Sequence, residues 1–400
     1  VANLLQSVSC TPATASAPAP STRVSFARCR GYDPEILSGA LERVLAPLGG
    51  MGAFVHPGCR VLVKPNLLTD RPPEAAVTTH PELVRQAIRL LKAAGAAVVV
   101  ADSPAFATRV EQVWRITGIQ AVCAEEGVPL LSIEAAPLTT LTRDGCTFAV
   151  SNLALHADLI VNLPKIKSHS LTLLTAAVKN FYGVIPGHLK TELHKTYSRP
   201  NAFGGLVRAV CLAMPASITI ADGVLAMEGE GPSSGTPISL NLLAASADPF
   251  ALDLALCDVL RINPERVPYL AGLSHAAAYT ARVWHGDSPE VAHFRLPRNT
   301  SRLALTLLPG GLVRLVGSLI WFRPIFGSTC VRCGKCVTAC PVHALALGTG
   351  ARPALKGSAC IGCCCCHEVC PARAITICPS PMIRMARACA HLTRGRDGKA

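Results

Sequence analysis

The sequence predicts an α/β fold, a mostly parallel sheet with helices on both faces, followed by a small C-terminal α+β module. Three observations predict it. From about residue 22, apolar runs ending in polar residues alternate with helical stripes. Half of the 400 residues are apolar and only 16% are charged, which allows a substantial core. After Phe326 the pattern changes: cysteines cluster and the apolar segments become too short to form a core of their own.

The elements follow in order. "RVLVKPN" (60–66) reads as a buried strand with a polar end. "HPELVRQAIRLLKAAG" (80–95) reads as a helix, with Pro81 at its first turn and Gly95 at its stop. "AAVVVADSP" (96–104), "ADLIVNLPKIKSH" (157–169) and "SITIADG" (217–223) repeat the strand design. Continuous apolar strands separated by helices indicate a parallel sheet covered on both faces. The expected organisation is a flexible Ala/Pro/Ser leader (1–21), an α/β domain (22–300) and a connecting apolar segment (301–327). A cysteine module (328–378) and a basic tail (379–400) complete it.

Two spacings define the module. "CVRCGKCVTACP" places Cys330, Cys333, Cys336 and Cys340 at gaps of two, two and three residues, before Pro341. Cys360, Cys363, Cys366 and Cys370 repeat the spacing before Pro371. This is the run of bacterial two-cluster ferredoxins, in which the fourth cysteine ligates the other cluster. It predicts two [4Fe–4S] clusters: Cys330, Cys333, Cys336 and Cys370 for one, and Cys360, Cys363, Cys366 and Cys340 for the second. Zinc is the alternative, but paired C-x2-C sites leave the third cysteine and the x3-C-P element unexplained. Cys364 and Cys365 fill a gap between ligands and are expected to be non-ligands. Cys123, Cys146, Cys211 and Cys257 sit in apolar runs and read as core thiols. Cys378 and Cys389 could be redox-labile.

The net charge is +13, which suits an anionic substrate or an acidic protein partner. Nucleic acid is disfavoured, because aromatics are only 4% and no basic block is interleaved with them. Arg332, Lys335, Arg352, Lys356 and Arg373 face only Glu368 within the module. That excess fits docking of an acidic electron-transfer protein, or simply offsets negative clusters. No basic n-region opens the chain, and a disulfide scaffold would be far shorter, so a reducing cytoplasm is expected. The run Leu303–Phe322 is long enough to span a bilayer, yet Pro309, Gly310, Gly311 and Arg314 interrupt it. An integral span is therefore disfavoured, with peripheral membrane contact left open.

The polar strand ends suggest a site, because ligands of open α/β sheets bind beyond the carboxyl ends of the strands. Lys64, Asn66, Asp102, Asp222, Asn162, Lys165, Lys167 and His169 all fall there if the sheet is parallel. A helix is expected after His169, with Leu171, Leu174, Val178 and Phe181 buried and His169, Thr172, Thr175 and Lys179 opposite. Asn180, His188, Lys190 and His194 follow. Lys64, Asn66, Asp102, Lys167, Lys179 and Asn180 are the candidates for holding an anion, and Lys165 and His169 for moving protons. The alternative is a solvated helix face. "MEGEGPSSGTP" (227–237) matches no nucleotide fingerprint and is expected to be a surface loop.

The stretches "VKPNLL", "THPELVRQAIRLLKAAGA", "ADSP", "NLPKIKSHSLTLLTAAVKNFYGVIPG" and "ADGVLAMEGEGPSSGTP", with the double cluster motif, resemble the iron–sulphur family called domain of unknown function 362. The resemblance runs from residue 60 to 376 and implies an α/β domain fused to a ferredoxin-like module. It supplies no reaction, and the Cys364–Cys365 doublet departs from a plain cluster loop. Three functions stay open. The clusters could pass electrons to a ligand at the sheet rim, the chain could be an electron carrier or adaptor for a protein partner, or the clusters could be structural or sensory.

Overall fold

Strand-forming runs at β1 (Arg23–Arg28), β2 (Arg60–Pro65), β3 (Ala97–Asp102) and β4 (Leu130–Ser132) open the sheet. The hairpin β5 (Leu138–Arg143)–β6 (Cys146–Ser151) stands apart from it. Then come β7 (Leu159–Leu163), β8 (Lys165–His169), β9 (Leu173–Thr175), β10 (Ser217–Glu228), β11 (Thr236–Ile238), β12 (Leu242–Ser246) and β13 (Val283–Gly286). The computed structural model describes residues 22–276, 279, 283–290, 293–298, 321–348 and 350–383. The expected leader, the interrupted apolar run up to residue 320 and the tail beyond 383 lie outside them.

The main path of the sheet is β13-β1-β12-β10-β7-β2-β3-β4. The pairs from β10 through β7, β2 and β3 to β4 are parallel, while β12 runs antiparallel to both of its neighbours. Alternate residues of one strand enter different cores. Leu62 and Ile160 join the first, and Val61, Val63, Leu159 and Val161 the second. This is the two-faced burial that continuous apolar strands require.

Helices cover both faces. They are α1 (Pro34–Leu45), α2 (Pro81–Ala93), α3 (Val110–Ile116), α4 (Ile119–Glu125), α5 (Asn152–Leu155), α6 (Ala177–Asn180), α7 (Gly187–Thr196), α8 (Pro200–Leu212) and α9 (Pro249–Val259). In α2 the signals act as anticipated. Pro81 takes the first turn, His80 Nδ1 accepts from Glu82 N, and Gly95 follows with φ +80°.

Three local expectations are corrected. The run 157–169 is two strands, because Pro164 cannot donate to the ladder. After it the chain pairs with the far half of β10, across a register shift between Asp222 and Met227. The segment after His169 is a hairpin: β9 pairs antiparallel with β8, and helix forms only at Ala177–Asn180. The cause is local. His169 Nδ1 accepts the backbone N–H groups of Leu171 (2.9 Å) and Thr172 (3.3 Å), so its side chain closes a turn where a helix was expected. Finally, the 227–237 loop is no surface loop. Ser168 Oγ and Ser170 bond Gly231, and Pro232 and Ser233 are buried.

The C-terminal module pairs β14 (Phe322–Phe326) with β17 (Ile375–Pro379), and β15 (Leu345–Leu347) with β16 (Pro353–Leu355). Two four-residue helices, α10 (Lys335–Thr338) and α11 (Cys365–Glu368), follow the cysteine loops. The backbone repeats with a period of thirty residues. Positive φ recurs at Arg332 and Gly362, at Gly334 and Cys364, and at His343 and Arg373. The module docks on the sheet rim through Lys335–Asp70 (3.1 Å), Arg71 to Cys370 O (3.0 Å) and Ser233 to His367 O (3.4 Å).

Candidate functional site

The rim has a lower layer in which every ammonium has a carboxylate. Lys64 Nζ, at the end of β2, lies 2.7 Å from Asp102 Oδ1 at the end of β3, and Leu67 N donates to Asp102 Oδ2 (2.6 Å). Lys165 Nζ lies 2.6 Å from Asp222 Oδ2 and also donates to Tyr32 Oη (3.0 Å) and Leu225 O (3.1 Å). Tyr32 Oη in turn donates to Asp222 Oδ1 (2.6 Å), and its ring stacks on His80 at 3.6 Å. Burial pushes both lysines below their usual range, and the carboxylates oppose that shift. Gly183 packs against the first pair so closely that a Cβ there would collide with Asp102 Oδ1 and Lys64 Nζ.

Above this layer, between the rim and the cysteine module, lies a cavity of about 750 Å³ measured out to its open mouth. Of the eight candidates for holding an anion or moving protons, six line it: Asn66, Asp102, Lys167, His169, Lys179 and Asn180. Lys64 lies beneath, behind Asp102, and Lys165 stands apart in its pair with Asp222. Lys190 and His194 join the wall, whereas His188 is exposed, 3.9 Å from Glu134.

Local structure fixes each group. Asp253 of α9 accepts from Ala177 N (2.7 Å) and Val178 N (3.0 Å), which caps the short α6 and sets Lys179 and Asn180. Asn180 Nδ2 donates to Asn162 Oδ1 (2.8 Å), whose own amide bonds Ala177 O and Thr219 Oγ1. Lys167 Nζ donates to Asn66 Oδ1 (2.7 Å) and Val77 O (2.6 Å). Lys190 Nζ donates to Ser103 O.

Lys179 is different. Among the described residues its Nζ has no hydrogen bond or ion pair, only the faces of Tyr182 and Phe203 at 5.7 and 5.8 Å. Thr175 Oγ1, on a residue 5% exposed, is also unbonded. Burial lowers Lys167 and Lys179, and holds Lys190 down to about 8. These three lysines, with Glu368 as the carboxylate that acts on all of them, have the chemistry to attract an anion.

His169 has a defined role. Its Nδ1 is occupied as an acceptor, so the ring proton sits on Nε2, 3.2 Å from Glu368 Oε1 but outside hydrogen-bonding geometry. Burial, and then the Lys179 charge, hold its pKa down to about 3. The neutral ring therefore offers a donor, not a base.

Sequence reasoning missed the second wall of the cavity. Cys365, Glu368 and Val369 come from the second cysteine loop, and Ala339 from the first. Glu368, the lone acid of a basic module, was the available signal.

The cysteines themselves divide into two further cavities. One, about 310 Å³, is lined by Cys330, Cys333, Cys336 and Cys370. The other, about 380 Å³, is lined by Cys340, Cys360, Cys363 and Cys366, together with Cys364. Ala344 N donates to Cys340 Sγ (3.2 Å) and Ala374 N to Cys370 Sγ (3.3 Å), bonds that suit thiolate ligands. Four thiols around each cavity fit an iron–sulphur cluster in donor type and number.

Residues 61–258 match the family described as "Domain of unknown function (DUF362)", and residues 325–371 match the "4Fe-4S dicluster domain". The thylakoid-associated protein sll1697 of Synechocystis is 36% identical over 281 residues, covering 68% of this chain and 87% of that protein. Among solved structures, the lactate racemase apoprotein from Thermoanaerobacterium thermosaccharolyticum aligns with 60% of this chain and 57% of its own. Its TM-score is 0.39 and its identity 15%, too distant to bear on chemistry. Among the described residues no helix is long and apolar enough to cross a membrane. The chain belongs to the domain of unknown function 362 family and is a 4Fe-4S iron–sulphur protein.

Proposed function

We propose that the protein is a ferredoxin-type oxidoreductase that passes electrons to an anionic ligand held in the cavity between the sheet rim and the cysteine module. The observation that carries this reading is the shared wall: Cys365 and Glu368 flank cluster cysteines and face Lys179 and His169 across the same cavity. When bound, two [4Fe–4S] clusters supply single electrons. Cys330, Cys333, Cys336 and Cys370 hold one, and Cys340, Cys360, Cys363 and Cys366 the other. Lys179, Lys190 and Lys167 bind and orient the anion, with Asn66, Asn180 and Asp102 fixing the floor beneath it. His169 offers its Nε2–H to the ligand. Lys165 and Lys64 are positioning residues that pin the rim through Asp222 and Asp102.

Electron supply enters from outside. Cys333 is exposed and Val331 is 64% exposed, with Arg332 beside them, and Arg352, Lys356 and Arg373 are exposed elsewhere on the same module. This supports docking of an acidic electron-transfer protein by complementary charge. A reducing cytoplasmic setting suits the thiol-rich chain. One relative is named thylakoid-associated, which is compatible with a peripheral membrane contact of this chain.

The test is anaerobic purification, iron and sulphide counting, EPR, and mass spectrometry of small molecules that co-purify. The proposal expects about eight irons, in accord with two four-iron clusters, and a bound anion that is lost in Lys179→Met. Stoichiometric zinc without sulphide overturns it.

A further inference from the structure

The Cys364–Cys365 doublet has two thiols with different surroundings. Cys364 takes the left-handed backbone position (φ 69°) that Gly334 takes in the first repeat, and its thiol donates to Gly362 O (3.4 Å) beside the cluster cavity. Cys365 corresponds to Lys335. In the first repeat that side chain leaves the module to pair with Asp70 of the rim. In the second it likewise faces the rim, but there it meets the ligand cavity. Cys365 is buried, 8% exposed, and stands in the chain between Cys363 and Cys366 of the 380 Å³ cavity, while its own side chain lines the ligand cavity. Among the described residues, Thr175 Oγ1 and His169 Nε2 stand across that cavity without hydrogen bonds, besides Lys179.

We propose that Cys365 is a non-ligand thiol that couples the second cluster to the anion in the cavity. The proposed contact of its sulphur is with Cys363 on one side and with the bound anion on the other. Hydrogen bonds to cluster sulphurs stabilise the reduced, more negative state and raise its potential. The S–H of Cys365 therefore raises the potential of the cluster held by Cys340, Cys360, Cys363 and Cys366. An anion drawn to Lys179 competes for that S–H and lowers it. Cys365 is a positioning residue toward the cluster and a contact residue toward the anion. This inference rests on the anion reading above for its second half only.

The experiment is an EPR-monitored redox titration of the cluster-loaded protein, with and without sulfate, in wild type, Cys365→Ala, Cys365→Ser and a Cys123→Ala control. Calorimetry measures sulfate binding in each. Iron content should stay at the wild-type value in all four. Cys365→Ala should shift one cluster to lower potential, Cys365→Ser should restore part of the shift, and Cys123→Ala should leave both clusters in place. Loss of a whole cluster in both Cys365 variants overturns the inference, because Cys365 would then be a ligand. Unchanged potentials in Cys365→Ala overturn it too, while sulfate binding there would leave the anion reading standing. If sulfate fails to bind wild type but the potential still shifts, the anion reading falls and the proposed Cys365–Cys363 contact remains.

Discussion

Two layers of the rim contain desolvated lysines, and in the lower one each lysine touches a carboxylate. Lys64 and Lys165 each meet a carboxylate within 2.7 Å and are sealed from water. Lys167 and Lys190 bond neutral oxygens and Lys179 packs against aromatic faces; the Glu368 carboxylate acts on all three but, among the described residues, bonds none of them. Desolvation acts on all five. The lower layer offsets that cost by direct pairing within the fold, whereas the upper layer has no such contact and is where the proposed anion would offset it.

The largest expected effect breaks the lower layer. Lys165→Met leaves the buried Asp222 carboxylate, among the described residues, with Tyr32 and a backbone N–H to bond. It should lower stability by about 3–5 kcal/mol, as loss of one partner of a buried pair does, read by urea unfolding of the cluster-loaded protein. A change below about 1 kcal/mol would show that the pair is not structural.

The second substitution reverses the pattern. Lys179→Met should not lower the unfolding midpoint, since it removes a desolvated charge without an ion pair. It should weaken sulfate binding by about tenfold to a hundredfold, the range for a charge-assisted hydrogen bond. Sulfate affinity equal to wild type would make Lys179 another structural lysine.

A third prediction uses pH. Burial lowers Lys190 to about 8, so it is charged below that value and neutral above it. Sulfate does not titrate in this range, and its affinity should fall as pH rises from 7 to 9. Lys190→Met should flatten that profile. A flat profile in wild type would remove Lys190 from the anion site.

The smallest effect concerns the strained doublet. Cys364→Gly relieves a side chain held at φ 69° and should stabilise the module by about 1 kcal/mol. Iron content should be unchanged. Lost iron would mean that Cys364 serves the cluster.

Much of the lower layer was legible, because Lys64, Asp102, Lys165 and Asp222 sit at the ends of apolar runs whose parallel pairing follows from local pattern. Their partners were not. Tyr32 and Lys165 are 133 residues apart, a separation that no periodicity reveals. The hairpin at 169–175 was hidden because its apolar spacing mimics a helix, while a histidine ring decides the turn. The second wall of the cavity depends on docking of the module, so Cys365 looked like filler within a motif. Only the thirty-residue repeat, which aligns Cys365 with Lys335, pointed toward the rim.

The proposed anion and one proposed cluster stand on opposite sides of the wall that carries Cys365. The most direct measurement is the EPR spectrum of the anaerobically reduced wild-type protein, taken with and without sulfate. Sulfate should alter the signal of one of two clusters and leave the other unchanged, and Lys179→Met should abolish the difference. Sulfate that binds tightly yet leaves both signals unaltered would contradict that arrangement.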